Sequence, residues 1–378
     1  MKKRIFCLDL LRGLDIFYLL AIHYILLCGG FFRVWPLKSD GAKAFWMHSP
    51  TAFAAGPEHV PTGFGILDFT QPLFIFVTGV SAAFAMGKFV AADGIDAAAF
   101  WKRLVKRTLM LWAFGSLIRG ALTFKLFTGG AVQSFCLYSD TLHTIAVAYF
   151  AASAGLLVRC RWIRLAVASA LVAIPAATMA CCGDYTRLGN AARLLEESAY
   201  APLGGKAKDF CYLLTTFTWA GMGMLSSFAG ELLKSGLGQW TKAKFLAAAG
   251  AAAFASGWIL SFWIPPIRYI YTVSFVFETL GLSAMLLCML YVLTDILHIR
   301  RGTWLLILFG QCSLAAWMAV NFFGDALTAA ARPFAAGIPK LIGTDRYQMI
   351  FIAVAKVAVL TCLLWIWRRQ RDSARMGR

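Results

Sequence analysis

Long apolar runs alternate with short polar breaks along the whole chain. A run of about 20 apolar residues matches the hydrocarbon thickness that a helix crosses at about 1.5 Å per residue. Ten such spans are predicted, over 12–32, 66–87, 104–124, 141–159, 163–182, 210–230, 244–264, 271–294, 303–323 and 348–367. The breaks between them are short except 33–65, 183–209 and 324–347. None is long enough for a separate soluble domain. The expectation is an all-α, polytopic integral membrane helix bundle forming a single domain over 1–378. No internal repeat is evident, so an inverted-repeat transporter gains no support. Small residues recur every four positions at Gly79, Ala83 and Gly87 on the second span, and at Gly223 and Ser227 on the sixth. Such faces let helix backbones approach closely in lipid, within one chain or in a homodimer.

Composition agrees with this pattern. Hydrophobic residues make up 60% of the chain, charged residues 14%, and mean hydropathy is +0.70. A soluble domain of this length needs more charge to cover its surface. The net charge of +18 would suit nucleic acid, but it lies in short clusters between apolar runs, which excludes that partner and points to membrane lipid. Of the 36 Lys and Arg residues, 22 fall on the side of the N-terminus, 13 on the other, and Lys356 lies within the last span. The positive-inside rule then puts both termini in the cytoplasm and the longest polar loops outside. Met1-Lys2-Lys3-Arg4 followed by apolar residues resembles a signal peptide. Asp9, Arg12 and Asp15 interrupt the apolar stretch and no small-x-small cleavage site follows, so a retained first helix is expected. The ten Cys are scattered, with no CxxC and no Cys/His spacing of a metal site, so no metal is expected.

Candidate chemistry lies in the polar residues that a bilayer penalises. The first helix carries Asp9, Arg12, Asp15 and His23. The first three are three apart and can pair along one face. Arg12 and His23 are eleven apart, on one face and about 16 Å apart along the axis. His143 opens the fourth span, Glu278 lies in the eighth and Asn321 late in the ninth. Together they imply buried polar groups, either a substrate path or hydrogen bonds between helices. Lys356 either snorkels toward the headgroups or pairs with an acid such as Glu278.

The stretch His59–Gly79, HVPTGFGILDFTQPLFIFVTG, enters a helix from a Gly- and Pro-rich loop. Asp68 and Gln71 stand at the membrane entry, just before Pro72. Charge counting puts His59 outside. A carboxylate can orient an imidazole and raise its basicity, so His59 and Asp68 form a candidate pair.

Five segments carry a resemblance in chain order. LDLLRGLDIF (8–17) contains Asp-x-x-Arg-Gly, and EHVPTGFGILDFTQPLFIFVTGVS (58–81) contains a His, an Asp and Pro-x-Phe-x-Phe-x-x-Gly. DTLHTIAVAYFAAS (140–153) is similar to a Leu-Gln-Arg-Ile-Ala-x-x-Tyr pattern. PPIRYIYTVSF (265–275) is similar to Pro-Ile-Asn-Lys-x-x-Trp-Thr-x-Ser, and GQCSL (310–314) to Gly-x-Asn-Ser. Over most of its length the chain thus resembles the heparan-α-glucosaminide N-acetyltransferase family, especially its bacterial relatives. It departs in four places. The Trp after the histidine is absent from His59-Val60-Pro61-Thr62-Gly63, and His23 stands for an active-site Asn. His143-Thr144 replaces Gln-Arg, and Arg268 replaces Lys.

The resemblance implies transfer of acetyl from acetyl-CoA on the cytosolic side to the amino group of glucosamine or a related glycan on the far side. It implies a bacterial cytoplasmic membrane, with His59 on the periplasmic side in the place of the catalytic histidine. Such transfer needs a proton acceptor, a held thioester and support for a tetrahedral oxyanion. His59 would act as general base, or as nucleophile through an acetyl-imidazole. Asp68 would orient it, and His23 would polarise the thioester carbonyl. Arg12, Lys102, Arg103, Lys106 and Arg107 would attract the CoA phosphates, unless they are topology signals alone. Asp15, Gln71, His143, Arg268, Glu278 and Asn321 would line the acceptor cavity. Two other readings stay open. One is O-acetylation of a hydroxyl on a cell-envelope polysaccharide. The other is a proton-coupled secondary transporter using Asp15, His23, Glu278 and Lys356.

Overall fold

The computed structural model describes residues 5–22, 25, 65–91, 94–119, 140–186, 188–200, 211–342 and 348–376. The chain divides into two compact units, Ser49–Cys288 and Met1–His48 with Met289–Arg378.

The Ser49–Cys288 unit contains α2 (Ile66–Met86), α3 (Ala97–Ile118), α4 (Thr141–Gly155), α5 (Arg161–Cys182), α6 (Ala191–Tyr200), α7 (Thr215–Lys234) and α8 (Gln239–Leu260). It also holds most of α9 (Val273–Tyr291). At its centre α2, α4 and α7 pack side by side and run parallel. Gly79 of α2 lies against Gly223 and Ser226 of α7, and farther on Gly230 lies against Val80 and Ala83. Gly223 also lies against the backbone of Ala148 in α4. Parallel neighbours need a connection that returns to the starting end. Two helices do this. α3 runs back along α4, packing Phe100 and Leu104 with Tyr149 and Leu156. α5 runs back along α7, with Gly221 against Ala168 and Val172 at one level and Arg164 paired with Glu231 at another. The small-residue stripes of the second and sixth spans are therefore consumed inside the chain. The faces that suggested a homodimer are not surfaces of this unit.

Local signals explain the helix ends. Asp96 caps α3 by accepting from Ala99 N–H at 3.1 Å, and Asp140 caps α4 through Leu142 N–H at 2.9 Å. α5 ends at Gly183 with φ +70°, where a Cβ would be strained. The Arg164–Glu231 pair is bidentate, and the Arg164 guanidinium also lies over the Phe228 ring at 4.3 Å.

The other unit contains α1 (Phe6–Phe17), continued by a π-helical turn over Tyr18–Ile22. It adds the π-helical end of α9 (Val292–Ile296), α10 (Trp304–Gln311), α11 (Ser313–Ile342) and α12 (Gln348–Met376). α1 and α10 cross closely, with Gly13 against the Leu306 carbonyl and Gly310 against the Asp9 carbonyl. No side chain at Ile5 caps α1. The Asp295 carboxylate does so instead, accepting from Phe6 N–H at 3.3 Å and Cys7 N–H at 3.0 Å.

Among the described residues, six helices are long and apolar enough to cross a membrane: Ile66–Met86, Arg161–Cys182, Gln239–Leu260, Val273–Ile296, Ser313–Ala335 and Gln348–Ser373. Several predicted boundaries are corrected. α1 begins at Phe6 rather than near 12. The stretch 183–209 holds the amphipathic α6, and a two-residue-per-strand hairpin pairs Val90 with Ile95 ahead of α3. The predicted span 303–323 is α10 plus the start of α11, and much of the predicted loop 324–347 is helix. α11 continues to Ile342 past a backbone break at Phe323 (φ −118°, ψ 20°). Its Ala-rich sequence favours helix despite Pro333.

Candidate functional site

The starts of α2 and α4 meet at one end of the Ser49–Cys288 unit and carry a buried polar cluster. Its first member is Asp68, 3% exposed, in the first turn of α2. One carboxylate oxygen accepts from Gly65 N–H at 3.0 Å and closes the helix end. The other lies 3.4 Å from Arg268 Nη1. Three residues on, Gln71 is equally buried. Its amide nitrogen donates to Thr144 Oγ1 at 3.2 Å, and that hydroxyl donates to the Thr141 carbonyl at 2.8 Å. The Gln71 carbonyl oxygen is buried and receives no hydrogen bond from the described residues. Pro72 has no N–H to return to the Asp68 carbonyl one turn earlier.

Arg268 is presented by a tight loop between α8 and α9. The Thr272 hydroxyl accepts from Ile267 N–H at 2.9 Å and donates to the Pro265 carbonyl at 2.8 Å, tying the loop across its base. Tyr271 sits inside with φ +50°, a left-handed conformation costing roughly 1–3 kcal/mol for a bulky residue. Its ring packs edge-on against Trp219 of α7 at 5.7 Å and Phe275 of α9 at 5.5 Å. These contacts hold the loop and aim Arg268 at α2.

His143 belongs to the same end and is fully buried. Asp140 N–H donates to Nδ1 at 3.0 Å, so the neutral ring carries its proton on Nε2. Nε2 lies 3.2 Å from Ser116 Oγ of α3, and Trp112 packs against the ring at a 56° tilt, centroids 4.8 Å apart. With both nitrogens engaged, His143 ties α3 to α4. Asp140 adds an ion pair to Arg119 at 3.2 Å. Burial raises the Asp140 carboxyl pKa, while Leu142 N–H and Arg119 work in the opposite direction.

Of the sequence-predicted residues, the structure brings together Asp68, Gln71 and Arg268, with His143 linked through the α4 start. His59 and His23 lie outside the described residues. Glu278 is buried against Gly257 of α8 but forms no hydrogen bond or ion pair among the described residues. Lys102, Arg103 and Lys106 are exposed on α3, and Arg107 lies over the Tyr149 ring at 4.4 Å. They flank the far end of α2, which is about 27 Å long from Asp68 to Met86 at 1.5 Å per residue. Their donors suit phosphate groups.

The remaining residues belong to the other unit. Arg12 pairs with Asp9 at 3.5 Å. Asp15 does not join that pair: it is 1% exposed and neither carboxylate oxygen has a hydrogen-bond partner among the described residues. Asn321 was expected among the buried polar groups. It is exposed, and its amide donates to the Trp317 carbonyl at 2.9 Å.

Sequence reasoning missed Thr272, Tyr271, Trp219, Arg119 and Ser116. A Thr and an aromatic within the PPIRYIYT motif were legible as a pattern, but their hydrogen bonds were not. Among the described residues no three His, Cys, Asp or Glu side chains gather as metal ligands do. No protein-family model matches the chain, and no curated protein matches it.

Proposed function

We propose that the chain is an integral membrane acetyltransferase. It moves acetyl from cytosolic acetyl-CoA to the amino group of glucosamine or a related glycan on the opposite side of a bacterial cytoplasmic membrane. In this reading it has ten spans, both termini are cytoplasmic, and His59 faces the periplasm. The observation that carries the reading is the buried cluster of Asp68, Arg268 and Gln71 at the starts of parallel helices.

Each helix start contributes about half a positive charge, and α2, α4 and α7 point theirs the same way. Arg268 is paired with Asp68, so the two cancel in net charge and the positive character of this end comes from the helix starts. Such an end favours a developing oxyanion or an anionic sugar. The open Gln71 carbonyl oxygen suits an acceptor N–H or O–H. The 59–64 stretch that brings in His59 joins this end directly in sequence. His59 takes the acceptor proton. Asp68, already held by Gly65 and Arg268, positions the guanidinium. Acetyl-CoA supplies the activated thioester, and Lys102, Arg103, Lys106 and Arg107 neutralise its phosphates.

The test is transfer of labelled acetyl from acetyl-CoA to glucosamine by purified protein in lipid. Wild type is expected to transfer, His59→Ala to lose the activity, and Gln71→Leu to raise KM for the acceptor. Undiminished transfer by His59→Ala would end the catalytic role. A hydroxyl-only sugar as acceptor separates O-acetylation from N-acetylation. A second reading, a proton-coupled secondary transporter, is favoured by Asp15, whose buried carboxyl has no partner among the described residues. Uptake into proteoliposomes without acetyl-CoA, lost in Asp15→Asn, would favour it.

A further inference from the structure

A cavity of about 790 Å³ opens in the unit formed by Met1–His48 and Met289–Arg378, between the start of α10 and the last turns of α12. Three guanidiniums line it, from Arg300, Arg368 and Arg369, against one carboxylate, from Asp372. Arg300 is held by its Nε bond to the Thr294 carbonyl at 3.1 Å and by the Phe6 ring beneath it at 4.7 Å. Arg369 lies over the Trp365 ring at 5.5 Å. Arg368 reaches Asp372 at 3.7 Å, but Asp372 also faces Arg371 at 3.9 Å. One acid therefore serves two cations, and the cavity keeps an excess of positive charge.

Its wall continues into apolar surface. Trp304 is 63% exposed and Trp365 50%. Both border the cavity beside Ile307 and Leu308. An 18-residue apolar stretch of Gln348–Ser373, with mean hydropathy 2.5, gives way to Arg368, Arg369 and Arg371 at this level. Exposed Trp beside Arg at the end of an apolar helix is the pattern of a membrane interface.

We propose that this cavity binds the phosphate of an anionic phospholipid, with the acyl chains lying along Trp304, Trp365 and Ile307. A soluble phosphate would satisfy the guanidiniums and leave the aromatic wall bare. A zwitterionic lipid would cover the wall and bring its own cation to the arginines. Only an anionic lipid meets both demands, and basic recesses between membrane helices bind such headgroups. The inference rests on the membrane reading of the chain and is independent of any transferase activity.

The test uses native mass spectrometry of the full chain released from nanodiscs that mix phosphatidylglycerol and phosphatidylcholine with identical acyl chains. Each cation near a headgroup is worth roughly a fivefold preference, so wild type is expected to retain phosphatidylglycerol at least fivefold over phosphatidylcholine. The triple change Arg300→Gln, Arg368→Gln, Arg369→Gln is expected to bring the two lipids within about twofold. The matching Arg→Lys triple should keep the preference. Equal retention by wild type would overturn the proposal without any variant, and so would preference kept by the Gln triple. Loss of retained phosphatidylglycerol on adding inorganic phosphate or acetyl-CoA would reassign the cavity to a soluble phosphate ligand.

Discussion

The Asp68–Arg268 pair gives the sharpest test of the polar cluster. The groups are 3.4 Å apart, and their side chains are 4% and 15% exposed. Coulomb's law with an effective dielectric of about 20 gives about 5 kcal/mol of gross attraction at this distance. Desolvation of both groups offsets much of that. Asp68→Asn keeps the size of the side chain and an oxygen for Gly65 N–H, so the cap survives. It leaves a largely buried guanidinium without its carboxylate, and the expected loss is about 3 kcal/mol. Arg268→Gln strands the more deeply buried carboxylate, which keeps its bond from Gly65 N–H, and should cost about 3 kcal/mol. In the double variant two neutral groups face each other, and about 2 kcal/mol of the summed losses should be recovered. Equilibrium unfolding in mixed SDS and detergent micelles, followed by tryptophan fluorescence, measures all four proteins. A coupling below about 0.5 kcal/mol would mean that the pair does not hold the 265–272 loop to α2.

Other outcomes follow from single contacts. Gly223→Ala puts a Cβ 2.6 Å from the Ala148 carbonyl oxygen, so it should cost about 2–3 kcal/mol in the same assay, whereas Gly236→Ala meets nothing within 4 Å and should be neutral. Gly115→Ala places a Cβ 2.9 Å from His143 Nε2; it should break the Ser116 contact and reduce acetyl transfer, and full activity would detach His143 from the site. Glu231→Gln leaves Arg164, 4% exposed, with a neutral partner, and should lower stability by about 1–2 kcal/mol, less than a fully buried pair because Glu231 is 41% exposed. Asp15→Asn removes the burden of an unpartnered buried acid and should raise stability by about 1 kcal/mol; a marked loss would reveal a bound cation or proton path there.

Much of the helical plan could be read from the chain because apolar runs are a local property. A helix that faces lipid or other helices must be apolar along its length, whatever its neighbours. The same locality made the small-residue stripe visible, since Gly79 and Ala83 share a face by spacing alone. It also marked Asp68, Gln71 and His143 as polar residues at or inside apolar spans, whereas Arg268 stood out only through the resemblance. Locality failed where helix ends were at issue. The Ala-rich 324–342 stretch reads as a loop by its Gly and Pro residues, yet forms helix. Asn321 reads as buried by its span, yet it lies on the exposed side of α11 just before the break at Phe323.

By itself, then, the sequence determined the class of protein, an apolar helical chain, and the short list of polar residues that such a chain can hold only at a cost. Which groups meet was decided by the tertiary structure. Asp68 finds Arg268 two hundred positions away, Gln71 finds Thr144 across 73, and Asp295 caps α1 across 288. No local pattern encodes those pairings, because a hydrogen bond depends on two groups arriving at one place. In the Ser49–Cys288 unit the parallel packing of α2, α4 and α7 sets that place, and it arises from glycines whose value is what they allow a neighbouring helix to do.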